Sequence, residues 1–195
     1  MRAVLLVIAW VVPLAYALIP VYWFLVHPFA ARWRRVQRPH LYIVPLWLLG
    51  YLVAGILTLP YSRTQLYNHW TAWLAGGVLV VAAFATYRSV GTKHITGAQI
   101  VGSAELNPDR EQRLVTTGAH ARIRHPLYAA ALLMVLGWTI GSGLLADYLL
   151  LGFALVFFPV MIALEECELE QRFGEAYREY KRRVPAIIPR LGQQG

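Results

Sequence analysis

The sequence has few charged residues and only one cysteine. Charged side chains make up 14% of its 195 residues, against about 25% in soluble domains. The single cysteine, Cys167, excludes an internal disulfide and a cysteine-based metal cluster. The chain also lacks a Gly-x-Gly-x-x-Gly dinucleotide motif, a phosphate-binding loop and a serine nucleophile motif. These absences remove the common soluble cofactor and hydrolase signatures.

Histidine offers little support for a metal centre. None of the six histidines is spaced four residues from another, as ligands on one helix face would be. A site built from His94, His120 and His125 with a glutamate is the one alternative left open. We therefore expect no metal.

What the chain does have is apolar sequence, which makes up 58% of its residues and lies in blocks. A helix that spans a bilayer needs about 20 apolar residues. The blocks predict five spans, at about 4–26, 41–59, 70–86, 126–145 and 148–164. In the first, Ala15-Tyr16-Ala17 also matches a signal-peptide cleavage site, but the apolar run continues to Val26 and favours a retained helix. The predicted fold class is all-α, an integral membrane bundle without a Rossmann domain.

The basic residues predict the orientation of this multi-pass protein. Sixteen of the eighteen Lys and Arg residues follow the first and third blocks or lie in the tail, and only Arg2 and Arg63 lie on the other side. Because basic loops stay in the cytoplasm, we expect the N-terminus outside and the C-terminus inside. The net charge of +8 flanks apolar blocks, so we expect membrane lipids and no nucleic acid as its partner.

Two charged clusters lie where the fourth block begins and the fifth block ends. Arg124-His125-Pro126 lies at the start of the fourth block, and Glu165-Glu166 follows the end of the fifth. With a turn at Ala146-Asp147, the two blocks form a hairpin that brings the clusters together. The tail from Glu165 to Arg183 is predicted to be one helix with an apolar stripe. The simpler alternative is that the arginines only anchor to headgroups and that Pro126 only starts a helix.

An ordered set of short motifs carries a resemblance to a known family. The set is Leu114-Val115-Thr116-Thr117-Gly118, Arg124-His125-Pro126-Leu127-Tyr128, Glu165-Glu166, Leu169, Phe173-Gly174, Tyr177, Tyr180, Val184-Pro185 and Pro189. It resembles the isoprenylcysteine carboxyl methyltransferase family of integral-membrane methyltransferases, whose pattern phospholipid methyltransferases and related bacterial proteins share. The resemblance covers roughly residues 70–190. A departure is His120, which follows Gly118-Ala119 where relatives commonly have Gly-Pro-Tyr.

The resemblance implies the function. It implies S-adenosylmethionine as methyl donor, a lipidic or membrane-partitioned acceptor, one methyltransferase domain over residues 1–195 with its cofactor-binding part at about 88–190, and a bacterial inner membrane. By the same resemblance Arg124 and Glu166 are the expected catalytic residues. The expected cofactor-binding residues are Gly91, Leu114, Val115, Gly118, His125, Pro126, Tyr128 and Glu165.

Two other functions remain open from the sequence. One is a related membrane reductase that uses a nicotinamide cofactor. The other is a non-enzymatic transport or assembly protein, which would bind no cofactor. The methyl acceptor, the methylated atom and the oligomeric state are not determined by these patterns.

Overall fold

The computed structural model describes residues 2–90, Leu106 and residues 113–190. Three short 3-10 turns, His27–Phe29, Leu59–Tyr61 and Gly118–Ala121, lie between or beside the helices. The helices are α1 (Arg2–Ala17), α2 (Ile19–Val26), α3 (Ala30–Trp33), α4 (His40–Thr58), α5 (Trp70–Val90), α6 (Pro126–Ser142), α7 (Leu145–Phe173) and α8 (Glu175–Arg183).

The predicted fold class, an all-α membrane bundle, is confirmed. Four helical segments are long and apolar enough to cross a bilayer: Val4–Trp33, His40–Tyr61, Trp70–Val90 and Leu145–Phe173. The fourth predicted span corresponds to α6, which is apolar but only 17 residues long. The described residues contain one isolated antiparallel β-bridge, between Gln65 and Leu144.

The hairpin between α6 and α7 forms as predicted, but its turn lies elsewhere. Helix α6 ends at Ser142, and Gly143 takes a left-handed conformation (φ 64°) in which its N–H donates to the Thr139 carbonyl. Asp147, predicted to lie in the turn, is instead buried in the first turn of α7. Its carboxylate accepts a hydrogen bond from Ser142 at 2.6 Å, which keeps it inside the hairpin. The predicted turn at Ala146-Asp147 is therefore wrong by about three residues.

The predicted single tail helix is also wrong, because it divides at Gly174. Residues up to Phe173 continue the fifth span as α7, and α8 begins at Glu175. Gly174 has φ 56° and ψ −128°, a conformation that side-chain-bearing residues rarely adopt. Two separate helices replace the predicted single helix.

Neighbouring helices pack by different means. Helices α5 and α6 approach closely at glycines: a Cβ placed on Gly76 would lie 2.3 Å from the carbonyl oxygen of Gly137 and 2.9 Å from the amide nitrogen of Gly141. Small residues at such a crossing let two backbones touch, which stabilises helix pairs within a bilayer. Helices α1, α6 and α7 instead share a core of larger side chains that includes Tyr128 and Phe158.

The helices run so that the charged residues collect at one end of the bundle. The charged end is formed by the start of α6, the last turns of α5 and α7, and α8. A hydrogen bond at 2.6 Å from the Tyr180 hydroxyl to the His120 carbonyl holds α8 against the segment before α6. The candidate site lies at this end.

Candidate functional site

A cavity of about 510 Å³ opens at the charged end, between the N-terminal helices, α5, α6, α7 and α8. Tyr16 and Ile19 line it on one side, and Ala83 and Phe84 of α5 line it on the other. Met134, two turns into α6, marks the apolar part. Polar side chains line the part nearest the loops and the tail. One cavity therefore joins an apolar wall, formed by the long apolar helices, to a polar wall at the charged end.

The start of α6 is fixed by the residues that follow α8. The backbone N–H of Arg124 donates to the Pro185 carbonyl at 2.8 Å, and that of His125 donates to the Ala186 carbonyl at 2.9 Å. Pro126 occupies the first turn of α6, where its missing N–H costs no helical hydrogen bond. The chain after α8 thus pairs with the Arg-His-Pro motif and holds it at the cavity.

The two predicted clusters meet in a buried ion pair. The Arg124 Nε donates to Glu166 Oε1 at 2.8 Å, and Nη2 donates to the same oxygen. The third nitrogen, Nη1, donates to the carbonyls of Lys181, at 3.1 Å, and Val184. Both side chains are less than a tenth exposed. The guanidinium therefore joins α7 to the end of α8.

Lys181 of α8 adds a second basic group to Glu166. Its Nζ lies 3.0 Å from Glu166 Oε2 and 2.7 Å from Glu170 Oε1. The Glu170 and Glu166 carboxylates raise the pKa of Lys181, so it remains a cation. Both oxygens of Glu166 are then held by basic side chains of the protein itself.

Glu165, the neighbouring carboxylate, is placed differently. It lines the cavity, and its Oε2 is buried without a hydrogen-bond partner in the described part of the chain. The nearest basic atom is His125 Nδ1, 3.6 Å away and beyond hydrogen-bond distance. The other ring nitrogen of His125 lies 3.2 Å from Glu166 Oε1. His125 thus lies between the two carboxylates.

Tyr177 of α8 brings a second buried oxygen atom, in addition to that of Glu165, to the same cavity. Its hydroxyl is buried and, within the described residues, has no hydrogen-bond partner. Burial and then the charge of Glu166 raise the pKa of Tyr177, so its hydroxyl stays neutral. Buried polar atoms are usually paired, so the two atoms suggest a polar ligand.

Most of the predicted cofactor-binding residues line the cavity. Gly118 begins a 3-10 turn with φ 64° and does not line it, and Gly91 lies outside the described residues. Of the expected catalytic pair, Arg124 lines the cavity and Glu166 does not. The predicted residues that do line it are Leu114, Val115, Arg124, His125, Pro126, Tyr128 and Glu165. The open alternative of a histidine metal site includes His94, which is also outside the described residues.

The sequence interpretation missed the contribution of the first span. Tyr16, Ile19, Trp23 and His27 all line the cavity. His27 is buried, stacks on Trp23 and pairs through Nδ1 with Glu168 of α7. In the sequence these four residues are spaced three or four apart, which places their side chains on one helix face. In an apolar span such a stripe is inconspicuous, because every face is apolar.

Known proteins resemble the chain over part of its length. It is 34% identical over 114 residues, 57% of the chain, to the nickel-cobalt-cadmium resistance protein NccN of Alcaligenes xylosoxydans xylosoxydans. It is 35% identical over 82 residues, 42% of the chain, to the protein-S-isoprenylcysteine O-methyltransferase of Schizosaccharomyces pombe. It is also 30% identical over 102 residues, 50% of the chain, to the Delta(14)-sterol reductase TM7SF2 of Mus musculus.

The chain spans about half the length, or less, of these relatives: 53%, 35% and 24% respectively. No protein-family model matches it, and no solved structure matches it significantly. Several curated protein-S-isoprenylcysteine O-methyltransferases are 28–38% identical to it over about 40–60% of its length. These matches support an isoprenylcysteine methyltransferase-like family, so the resemblance carried by the motifs is confirmed.

Proposed function

Taking the chain as a multi-pass membrane protein of an isoprenylcysteine methyltransferase-like family, we propose that it is an S-adenosylmethionine-dependent methyltransferase acting on a lipidic or membrane-partitioned acceptor. The similarity to curated methyltransferases supports a methyltransferase-like function. The observation that supports this donor and this class of acceptor is the cavity, because its polar wall suits a soluble donor and its apolar wall suits a lipidic acceptor.

The polar wall fits the donor chemically. S-adenosylmethionine carries an ammonium group and ribose hydroxyls, which need hydrogen-bond acceptors. The buried Oε2 of Glu165 is such an acceptor, and the hydroxyl of Tyr177 is both donor and acceptor. Neither atom has a hydrogen-bond partner within the described residues, so a bound donor would satisfy both. The other proposed binding residues are Leu114, Val115, His125, Pro126 and Tyr128, together with Gly91 and Gly118.

The donor would supply an electrophilic methyl group on a sulfonium, and the protein would align it with the acceptor and exclude water. Tyr177, only 1% exposed, covers the cavity from the side of α8. His125 stacks on Tyr128, with ring centroids 5.7 Å apart, and this fixes the imidazole between the two glutamates. Arg124 and Glu166 hold the wall in shape, and we expect turnover to need both.

The acceptor would enter from the bilayer. The apolar part of the cavity lies between Ile19 on one side and Phe84 on the other, and Phe84 is 54% exposed. Such a wall suits an apolar chain whose reactive group reaches the polar end. We also propose that the charged end faces the cytoplasm of a bacterial inner membrane, and that residues 1–195 form one domain.

The reductase alternative has weaker support, since the chain covers 24% of the named sterol reductase and several methyltransferases match it. Both alternatives are tested by isothermal titration of the purified protein in nanodiscs. We expect S-adenosylmethionine and its demethylated product to bind near one-to-one, and a reduced nicotinamide cofactor not to bind. Binding of the nicotinamide alone would favour the reductase, and binding of neither would favour a non-enzymatic protein.

A further inference from the structure

We infer that the adjacent carboxylates Glu165 and Glu166 have separate tasks: Glu165 contacts the ligand in the cavity together with Tyr177, whereas Glu166 is a positioning residue that fastens the C-terminal strap over it. The strap is defined here as residues 175–187. This inference deepens the proposed function and rests on it for the identity of the ligand.

Basic side chains of the protein occupy both oxygens of Glu166. Its Oε1 accepts two hydrogen bonds from Arg124 and lies 3.2 Å from His125 Nε2, and its Oε2 lies 3.0 Å from Lys181 Nζ. Its side chain is 8% exposed and does not line the cavity. A ligand could reach Glu166 only by displacing basic side chains from a buried carboxylate, which is strongly unfavourable.

The partners of Glu166 are the groups that hold the strap. Arg124 bonds to Glu166 with one edge and to the carbonyls of Lys181 and Val184 with the other. Lys181 is itself part of the strap. The guanidinium therefore holds the end of α8 against α7. Tyr177, which belongs to the strap, lines the cavity.

Glu165 has the opposite surroundings. Its side chain is 22% exposed, lines the cavity and has a buried oxygen without a partner within hydrogen-bond distance. The Tyr177 hydroxyl shares these features at 1% residue exposure. A carboxylate and a neutral hydroxyl together recognise a group with N–H or O–H donors, such as an ammonium or a ribose hydroxyl.

Two measurements on neighbouring variants separate the tasks. The backbone amides of Arg124 and His125 are held by strap carbonyls, so their hydrogen exchange in nanodiscs, without ligand, reports whether the strap is docked. We expect Glu166→Gln to raise this exchange about tenfold or more and Glu165→Gln to leave it unchanged. In titrations with S-adenosylmethionine, Glu165→Gln should weaken binding by about tenfold to a hundredfold.

Tyr177→Phe adds a readout that a purely structural role would not give. Removing a buried hydroxyl without a partner should leave the ligand-free melting temperature equal or higher, while the rise caused by S-adenosylmethionine shrinks. A lower ligand-free melting temperature with an unchanged rise would overturn the role of Tyr177 as a ligand contact.

Normal exchange with lost binding in Glu166→Gln, or normal binding in Glu165→Gln, would overturn the assignment. If Glu166→Gln does not fold, Arg124→Lys keeps the charge but has fewer donors, and it should show the same faster exchange. If the wild-type protein binds no S-adenosylmethionine, the proposed function fails. The exchange difference between the two glutamate variants then still decides whether Glu166 fastens the strap.

Discussion

The close crossing of α5 and α6 gives a prediction with an internal control. In Gly76→Ala the new Cβ would lie 2.3 Å from the Gly137 carbonyl oxygen, which is backbone and cannot swing away. Ordinary contacts of this kind are about 3.4 Å or longer, so the helices must separate by roughly 1 Å. A Cβ on the next residue, Gly77, would meet nothing within 4 Å. Both substitutions gain the same helix propensity, so their difference isolates the packing cost.

We expect Gly76→Ala to be less stable than Gly77→Ala by about 1–3 kcal/mol, the usual cost of overpacking. For a chain of this size that corresponds to a melting temperature lower by roughly 2–12 °C, measured for both variants in the same detergent. Because α5 also carries Phe84 of the cavity wall, donor binding should weaken in the same variant. Equal melting temperatures would refute the close backbone approach.

Arg124→Ala should lose most turnover and about 3–5 kcal/mol of stability, because removing one partner of a buried pair leaves the other charge uncompensated. The exposed Arg122→Ala should change both by little, as activity and thermal melting would show. Gly143→Ala should destabilise the hairpin by about 1–3 kcal/mol, because the φ of this residue is 64° and the new Cβ would lie 2.5 Å from the Tyr67 carbonyl oxygen. Gly152→Ala is the control in melting experiments, since a Cβ there has no atom within 4 Å. Reporter fusions at the C-terminus and between α4 and α5 should report opposite sides of the membrane, and a C-terminus outside would contradict the positive-inside argument.

More of the helical bundle than of the candidate site could be predicted from the sequence. Apolar block length was enough to predict an all-α membrane bundle. The short connection between the last two blocks was enough to bring Arg124 near Glu166, because it leaves few arrangements other than a helical hairpin. The division at Gly174 was missed, since a helical stripe continues across it in the sequence. The separate surroundings of Glu165 and Glu166 could not be predicted, because they depend on how far α7 is rotated against α6.

The first span shows the same limit from another direction. Tyr16 and Trp23 line the cavity, but in an apolar helix the face that turns inward is decided by packing and not by polarity. His27 ends that face, and its pairing with Glu168 joins the N-terminal helices to α7. A stripe that ends in a buried histidine is therefore a signal worth testing in other membrane chains.

If the protein is a methyltransferase, it transfers a methyl group from S-adenosylmethionine, bound in the cavity, to a membrane-partitioned acceptor. The most direct test of this proposal is to feed labelled methyl donor to cells that contain the wild-type protein, the Glu165→Gln variant or no protein, and to extract their lipids and small molecules. We expect a labelled, organic-extractable product with the wild-type protein that is absent without it and strongly reduced in the variant. The same labelled products in all three kinds of cell would contradict it.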